Sequence, residues 1–398
     1  MSEGLALPSG WRTRTIGEAT VLESKRVGSK VDPLVFSSTK HYGLVPSDEY
    51  FKGRQIYSEN LAQYRVVEPG WFAYATNHLA EGSIGLNQGL GEGCVSPMYT
   101  VFSASDSIDP RYLLRVLKSP EALAAYAVLE QASVDRRGSI RYRQFAEITF
   151  RAPPLEEQKR IAEVLDTIDE AIQATERLIA KLTQLEQGFR RDLMNGVGSC
   201  TRGEWRECRV GSFARVQRGA SPRPIDNPAW FSESGRAWVR ISDVTSSGDL
   251  LVGTRDKLSN AGAARSRWVN PGDVIMSIAA TIGVAIVVGT EACIHDGFVH
   301  VQHDDSVDND FLVLLLEHYR DDFIRRGQTG TQSNINSAIV ADTTVLVPPI
   351  DEQRRIVSFA RSARANIRRN QDFKRTLRAI RSGLASDLLS GRVRTVAS

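Results

Sequence analysis

Pro153-Pro154-Leu155-Glu156-Glu157-Gln158-Lys159-Arg160-Ile161 stands near the middle of a 398-residue chain, and Pro348-Pro349-Ile350-Asp351-Glu352-Gln353-Arg354-Arg355-Ile356 repeats it 195 residues later. All nine positions are identical or conservative. The repeat extends outward in order. Asp192-Leu193-Met194-x-Gly196 returns as Asp387-Leu388-Leu389-x-Gly391, and Gly10-Trp11-Arg12 with Ile16-Gly17 is answered by Glu204-Trp205-Arg206 with Val210-Gly211. Val67-Glu68-Pro69-Gly70 is answered by Val269-Asn270-Pro271-Gly272, and Cys94 and Asp109 by Cys293 and Asp308. An ordered series whose offset drifts by a few residues is the mark of a duplicated unit with loop insertions.

Each copy of the repeat predicts a long helix. The double proline forces an extended entry and cannot sit inside a helix. Acidic residues occupy the first turn, where the helix dipole favours them, and a glycine stands at the far end. Between those limits Ile161, Leu165, Ile168, Ile172, Thr175, Ile179, Leu182, Glu186, Phe189 and Leu193 keep strict 4,3 spacing, a coiled-coil seam broken by Thr175 and Glu186. The second copy supplies Ile356, Ala360, Ala363, Ile367, Asn370, Lys374, Leu377, Arg381, Leu384 and Leu388. This seam is more polar, and Phe359, Phe373 and Ile380 are expected to broaden it. Such a helix needs a partner: either a separate hairpin in each half, or the other copy running antiparallel. Matched lengths and opposite charges favour the second arrangement.

Those charges hide in a dull total of +3. Residues 153–195 carry 6 basic and 9 acidic side chains, whereas residues 348–398 carry 12 basic and 4 acidic ones. The two globular stretches are nearly neutral. Short strand-like runs at Trp238–Ile241, Val274–Ile278 and Val284–Val288, with helical patches near Tyr112–Lys118, Pro120–Leu129 and Phe311–Tyr319, predict an α+β fold with helices late in each half. The boundaries follow: residues 1–152 and 199–347 globular, 153–198 and 348–398 helical.

Several chemistries find no support. No run approaches the roughly 18 apolar residues of a membrane helix. The opening residues, MSEGLALPSGW, lack a basic and then apolar leader, so a cytoplasmic chain is expected. No phosphate loop of the form G-x-x-x-x-G-K-[ST] occurs, nor H-E-x-x-H or G-x-S-x-G. Gly89-Leu90-Gly91-Glu92-Gly93 lacks the following helix that a phosphate cradle requires and reads as a turn. Asn227-Pro228-Ala229-Trp230 resembles the base-holding Asn-Pro-Pro-aromatic motif of adenine methyltransferases, but its third residue differs, and it too reads as a turn. His300-x-x-His303 lies in a strand-like alternation without further ligands at metal spacing, and Cys94, Cys200, Cys208 and Cys293 form no C-x-x-C pair.

The repeated P-P-Φ-(E/D)-E-Q-(K/R)-R-I entry, the equal heptad helices and the D-L-Φ-x-G exit resemble the specificity subunits of type I restriction-modification enzymes, over the whole chain and in the familiar order. Ser96-Pro97-Met98-Tyr99, Trp238-Val239-Arg240-Ile241-Ser242-Asp243 and Thr329-Gly330-Thr331-Gln332-Ser333-Asn334-Ile335 add to the likeness. The first domain departs at the last of these, reading Val134-Asp135-Arg136-Arg137-Gly138-Ser139-Ile140. The resemblance implies two tandem duplicated target recognition domains, each followed by a long helix, the helices pairing as an antiparallel coiled coil. It implies a chain that is not an enzyme and that reads half of a bipartite double-stranded DNA site with each domain. The paired helices would dock two methyltransferase subunits, which methylate adenine, and restriction (translocase-nuclease) subunits can join. Cofactors are expected in those partners only: S-adenosylmethionine, ATP and magnesium.

With near-neutral domains, DNA affinity has to come from local clusters. Candidates in the first domain are Lys40, His41, Tyr42, Arg54, Gln55, Asn77, His78, Arg136, Arg137, Arg141 and Arg143. In the second they are Arg218, Ser221, Arg223, Arg236, Arg240, Arg265, Arg267, Gln328, Gln332 and Asn334. Arginine, asparagine and glutamine suit base edges, and the others suit phosphate. About a third of them are expected to touch DNA, and Trp238 is expected in the core. Two other readings stand beside this one: a coiled-coil scaffold that binds only proteins, and a detached targeting module of a single-chain methyltransferase-nuclease.

Overall fold

Each double proline ends a strand and releases a helix. Strand Thr149–Ala152 stops at Pro153 and the first long helix runs from Leu155 to Met194, 40 residues without a break. Strand Thr344–Val347 stops at Pro348 and the second runs from Ile350 to Ser390, 41 residues. The computed structural model describes residues 7–29, 33–131, 139–199, 202–327 and 335–395. Compactness divides the chain into two units, residues 1–176 with 373–398 and residues 177–372. Each unit therefore holds one globular part and half of each long helix.

In the first unit an antiparallel sheet has the order Thr20–Glu23, Tyr99–Ala104, Trp71–Ala75, Ile84–Leu86. A second sheet has the order Gly43–Pro46, Leu34–Thr39, Gly93–Val95, Arg65–Val67, with its two central strands parallel. Arg12–Thr15 pairs with Thr149–Ala152 in a separate ribbon. The second unit repeats this plan. Ala214–Arg218, Phe298–His303, Val274–Ser277 and Ala285–Val288 form the first sheet, and Asp256–Leu258, Phe231–Val239, Ala292–Ile294 and Arg267–Val269 the second, again with the central pair parallel. One strand is added, Leu250–Leu251 beside Ala285–Val288. The matched V-x-P-G turns occupy matched places: Gly70 and Gly272 sit at φ +86° and +94°, a conformation that costs glycine little. In the first core Phe72, Tyr74, Phe102, Tyr112, Tyr126 and Phe145 are all fully buried.

The repeated motifs meet where domain joins helix. Gln158, 2 % exposed, accepts from the Asp109 N–H at 3.0 Å and donates to the Pro153 and Ser107 carbonyls at 2.9 and 3.3 Å. Asp109 in turn caps helix Pro110–Leu117 by accepting from the N–H groups of Arg111 and Tyr112. The second copy repeats every element. Gln353, 0 % exposed, accepts from the Asp308 N–H at 2.8 Å and donates to the Ser306 and Pro348 carbonyls, both at 2.9 Å, and Asp308 caps helix Asn309–His318. Beside the first joint the Trp11 indole donates to buried Glu157 at 3.3 Å, and Arg394 does so at 2.7 and 2.8 Å. Burial pushes the Glu157 carboxyl upward, but those donors outweigh it and hold the pKa below the usual value.

In the first unit the start of the first long helix packs on the end of the second: Ile161 and Leu165 share a core with Leu384 and Leu388, Asp169 pairs with Arg381 at 3.0 Å, and Glu176 pairs with Arg378 at 2.6 Å. In the second unit the end of the first packs on the start of the second, with Leu193 and Met194 in one core with Ile356, Val357 and Ala360. Rising numbers on one helix meet falling numbers on the other, so the helices pair antiparallel. Acid on the first against arginine on the second follows the charge division of the sequence. Ile168, Ile172, Ile179, Leu182, Ile367 and Leu377 are half-buried.

The seam differs from expectation at its edges. Thr175 and Glu186, its supposed breaks, are each only 7 % exposed. Thr175 hides its hydroxyl by donating to the Ala171 carbonyl at 2.7 Å, and Glu186 lies 3.0 Å from Arg190 one turn on. Phe189 is 55 % exposed and meets the Phe359 ring of the second helix edge-on, with 6.0 Å between ring centres. Phe359 broadens the second seam through its ring contact with Phe189, but Phe373 and Ile380 do not: both are about half exposed, since a two-helix contact covers little beyond the 4,3 stripe. The strand expected at Trp238–Ile241 ends at Val239, and Ile241 opens helix Ile241–Ser246, whose first turn Asp243 ties back to the Arg240 N–H.

Replacing Gln158 by alanine leaves one buried N–H and one buried carbonyl short of a partner, together with the part-buried Ser107 carbonyl, and should cost about 2–4 kcal/mol, against less than about 0.5 for exposed Gln55→Ala. Urea unfolding of the two variants is the measurement, and equal midpoints would remove the clamp role.

Candidate nucleic-acid interface

Seven candidates of the second domain come together through named contacts. Strand Phe231–Val239 carries Arg236, whose guanidinium lies 3.6 Å from the centre of the Trp268 ring and pairs with Glu291. Arg240 lies 4.1 Å over the buried Trp238 ring and bonds Asp256 at 2.8 Å. Arg265 covers Trp230 at 4.6 Å, and the Trp230 indole donates to the Pro224 carbonyl at 2.9 Å. Arg267 donates to the Arg218 carbonyl at 2.5 Å and to Gln217 at 3.0 Å.

Asp296 is the hub. Its carboxylate accepts from Ser221 at 2.7 Å and Arg223 at 2.9 Å, and its carbonyl accepts from Arg218 at 2.8 Å. The Ser221 hydroxyl is the largest reason its pKa lies below the usual range, with the Arg223 charge adding to it. Gly219 makes the approach possible: a Cβ there would stand 2.1 Å from the His295 carbonyl oxygen. Burial holds the His295 pKa down, so its ring adds no charge near neutral pH. Among the described residues three of the six arginines here, Arg223, Arg236 and Arg240, pair with carboxylates, those of Asp296, Glu291 and Asp256. The face keeps an excess of positive charge, and the aromatic planes hold the guanidinium groups of Arg236, Arg240 and Arg265 in fixed orientations.

Candidates of the first domain are more scattered. Lys40, His41 and Tyr42 form the exposed turn between Leu34–Thr39 and Gly43–Pro46, held by Lys118, which donates to the Lys40 carbonyl at 3.1 Å. Burial lowers the Lys118 ammonium to about 8. Exposed Arg54 and Gln55 lie beyond the short helix Ser47–Tyr50. Half-buried Asn77 and exposed His78 follow strand Trp71–Ala75, and the Ile140 N–H to Thr76 carbonyl bond, 2.8 Å, sets exposed Arg141 and Arg143 nearby. Arg136, Arg137, Gln328, Gln332 and Asn334 lie outside the described residues, as does Cys200.

Sequence reading missed Lys25, Arg26 and Arg65 in the first domain, and the Trp230 and Trp268 plates in the second. Arg65 precedes the V-x-P-G turn by two residues, as Arg267 does in the other copy, so the repeat carried the signal. Arg26 bridges to Arg65 and bonds Gln63, while Lys25 pairs with Glu68.

The other motifs take structural places. Gly89 and Gly91 have positive φ in a turn tied by the Asn87 amide, and Asn227 caps the single turn Pro228–Trp230. His300 and His303 face opposite sides of one strand, toward Asp273 and Asn309 respectively. Cys94 and Cys293 stand at equivalent central positions, and burial pushes both thiols up to about 11, where they are poor nucleophiles. Among the described residues no group of three or more His, Cys, Asp or Glu side chains could hold a metal, and no helix is long and apolar enough to cross a membrane.

Two duplicated α+β domains on an antiparallel helix pair, one of them bearing an arginine face, define a double recognition module. Known proteins agree. The family model for the type I restriction modification DNA specificity domain matches residues 99–184 and 203–370, more than half of the chain, and the chain belongs to that family. It is the specificity subunit of a type I restriction-modification system. A type I restriction enzyme MjaX specificity subunit from Methanocaldococcus jannaschii is 20% identical over 361 residues, 85% of this chain and 82% of that protein. Similar folds occur in a chain solved in a study of type I R-M complex assembly and conformational transition (TM-score 0.63, 20% identity, 98% of this chain and 100% of that one). They also occur in the HsdS subunit of Thermoanaerobacter tengcongensis (0.54, 20%, 99% and 100%) and the S subunit of M. genitalium (0.55, 12%, 97% and 98%).

If the arginine face lies on DNA, Arg265→Ala should lower the slope of log affinity against log salt by about 0.9, the share of one phosphate contact. Anisotropy titrations on duplex DNA at several salt concentrations measure it. An unchanged slope would take Arg265 out of the interface.

Proposed function

We propose that the chain reads a bipartite double-stranded DNA target, the domain at residues 1–152 one half and the domain at residues 199–347 the other. The observation that carries this reading is the duplication itself: two domains of one sheet plan, divergent in surface residues, on helices that run in opposite directions. Two divergent readers in one chain match a target made of two unlike half-sites. The arginine face supports DNA as the ligand. It favours DNA over the protein-scaffold reading, which gives no reason for six arginines fixed side by side. The paired helices dock two methyltransferase subunits, which bring S-adenosylmethionine and methylate adenine at N6. Restriction translocase-nuclease subunits add ATP and magnesium chemistry. This chain contributes no reacting group and works in the cytoplasm, where its DNA lies.

Exchanging residues 1–152 for a foreign recognition domain should change one half of the methylated motif and leave the other as it was. Methylome sequencing with the partner subunits present decides it, and a change in both halves or in neither sinks the two-reader proposal.

The helices act as a ruler in this reading. A matched seven-residue insertion in both keeps the seam and adds about 10 Å, close to three base pairs. The expected result is a longer non-specific spacer between unchanged half-sites. An active variant with its original spacer would leave the helices as core packing only.

A further inference from the structure

The two domain–helix joints share one architecture with the charges exchanged. In the first, helix Pro110–Leu117 turns Arg111 and Arg115 toward the first long helix. Arg111 meets Asp166 at 3.2 Å, and Arg115 meets Asp166 at 2.5 Å and Asp169 as well. In the second, helix Asn309–His318 turns Asp310 and Glu317 toward the second long helix, where Asp310 meets Arg361 at 2.5 Å and Glu317 meets Arg364 at 2.8 Å.

The correspondence is positional. Aligning the caps Asp109 and Asp308 sets Arg111 on Asp310, and aligning Pro153 with Pro348 sets Asp166 on Arg361 and Asp169 on Arg364. Three matched positions have reversed sign. The apolar face between them has not changed character, with Tyr112, Leu113, Val116 and Leu117 answered by Phe311, Leu312, Leu315 and Leu316, all buried. The neighbouring charges keep the same sense: Arg381 joins Asp169 in the first joint, while Arg190 reaches Glu317 and Asp249 reaches Arg364 and Arg368 in the second.

We infer that these ion pairs key each recognition domain to its own long helix. The first helix presents a docking surface that fits a domain with a basic short helix, and the second fits one with an acidic short helix. A domain seated in the wrong place finds the right apolar shape but meets like charges. The side chains of Arg115, Asp166, Glu317 and Arg364 are 16–29 % exposed, so water relieves such repulsion only in part. Discrimination by repulsion between near-identical surfaces is a general route to specificity. Its consequence is that foreign domains are exchangeable within one position but penalised between positions.

The test uses the full chain and reads thermal midpoints, so it is independent of the DNA reading and fails separately from it. Asp310→Arg and Arg361→Asp each set like charges across the second joint and should lower the midpoint by about 2–4 °C. The double variant rebuilds the first joint's polarity and should recover most of the loss, and the penalty of the single variants should shrink in 1 M salt. A second arm exchanges residues 1–152 with 199–347 in one chain, with the long helices either native or carrying D166R, D169R, R361D and R364D. The charge-exchanged helices should raise the midpoint or rescue solubility. A double variant no more stable than the single ones overturns the proposal, as do folded exchanged chains that melt together. If both exchanged chains are insoluble, the four-variant cycle decides alone.

Discussion

A buried glutamine amide at each joint is the constraint on which the architecture depends. A long helix gains no direction from its own hydrogen bonds; it has to be held at its start. Gln158 and Gln353 do this by satisfying three backbone groups each, from the proline entry, from the loop before the short helix and from the cap of that helix. Apolar contacts alone would tolerate sliding. A buried amide would not, because any shift strands donors and acceptors away from water. The direction of the helix is thereby tied to the domain that precedes it.

From that fixed start the heptad stripe follows. The stripe is not purely apolar, and its polar members are handled locally: Thr175 bonds its own helix, and Glu186 stays beside Arg190. Asn370, Lys374 and Arg381 occupy seam positions of the second helix and are half-buried. They weaken the seam and specify it, since polar seam residues penalise other registers. Ion pairs such as Asp169–Arg381 and Glu176–Arg378 add direction rather than much stability, being partly exposed.

The arginine face obeys a related logic. A free arginine loses considerable side-chain entropy on meeting a ligand. Stacking on Trp230, Trp238 and Trp268, with Asp296 and Asp256 as anchors, takes much of that cost during folding. The same anchors spend some of the charge, so the face is ordered first and positive second. That order suits discrimination between bases, which depends on geometry, more than bulk affinity, which depends on charge.

Length, periodicity and repetition are properties of the chain, and they were legible. The nine-residue repeat, the 4,3 spacing and the proline and glycine limits determined two long helices, their equal length and the duplicated order, because each rests on local backbone chemistry. Opposite helix charge pointed to their pairing. What the sequence did not carry was the outcome of competition between neighbours. Ile241 reads as strand by alternation, yet Asp243 ties back to the Arg240 N–H and turns the chain into a helix. Phe373 and Ile380 read as seam, yet a single partner helix covers too narrow a stripe to reach them. The residues of the arginine face lie far apart in number, and only the crossing strands brought Arg218, Arg236 and Arg267 to the tryptophans and to Asp296. Long-range placement is decided by which surfaces are buried together, and that is a property of the folded whole.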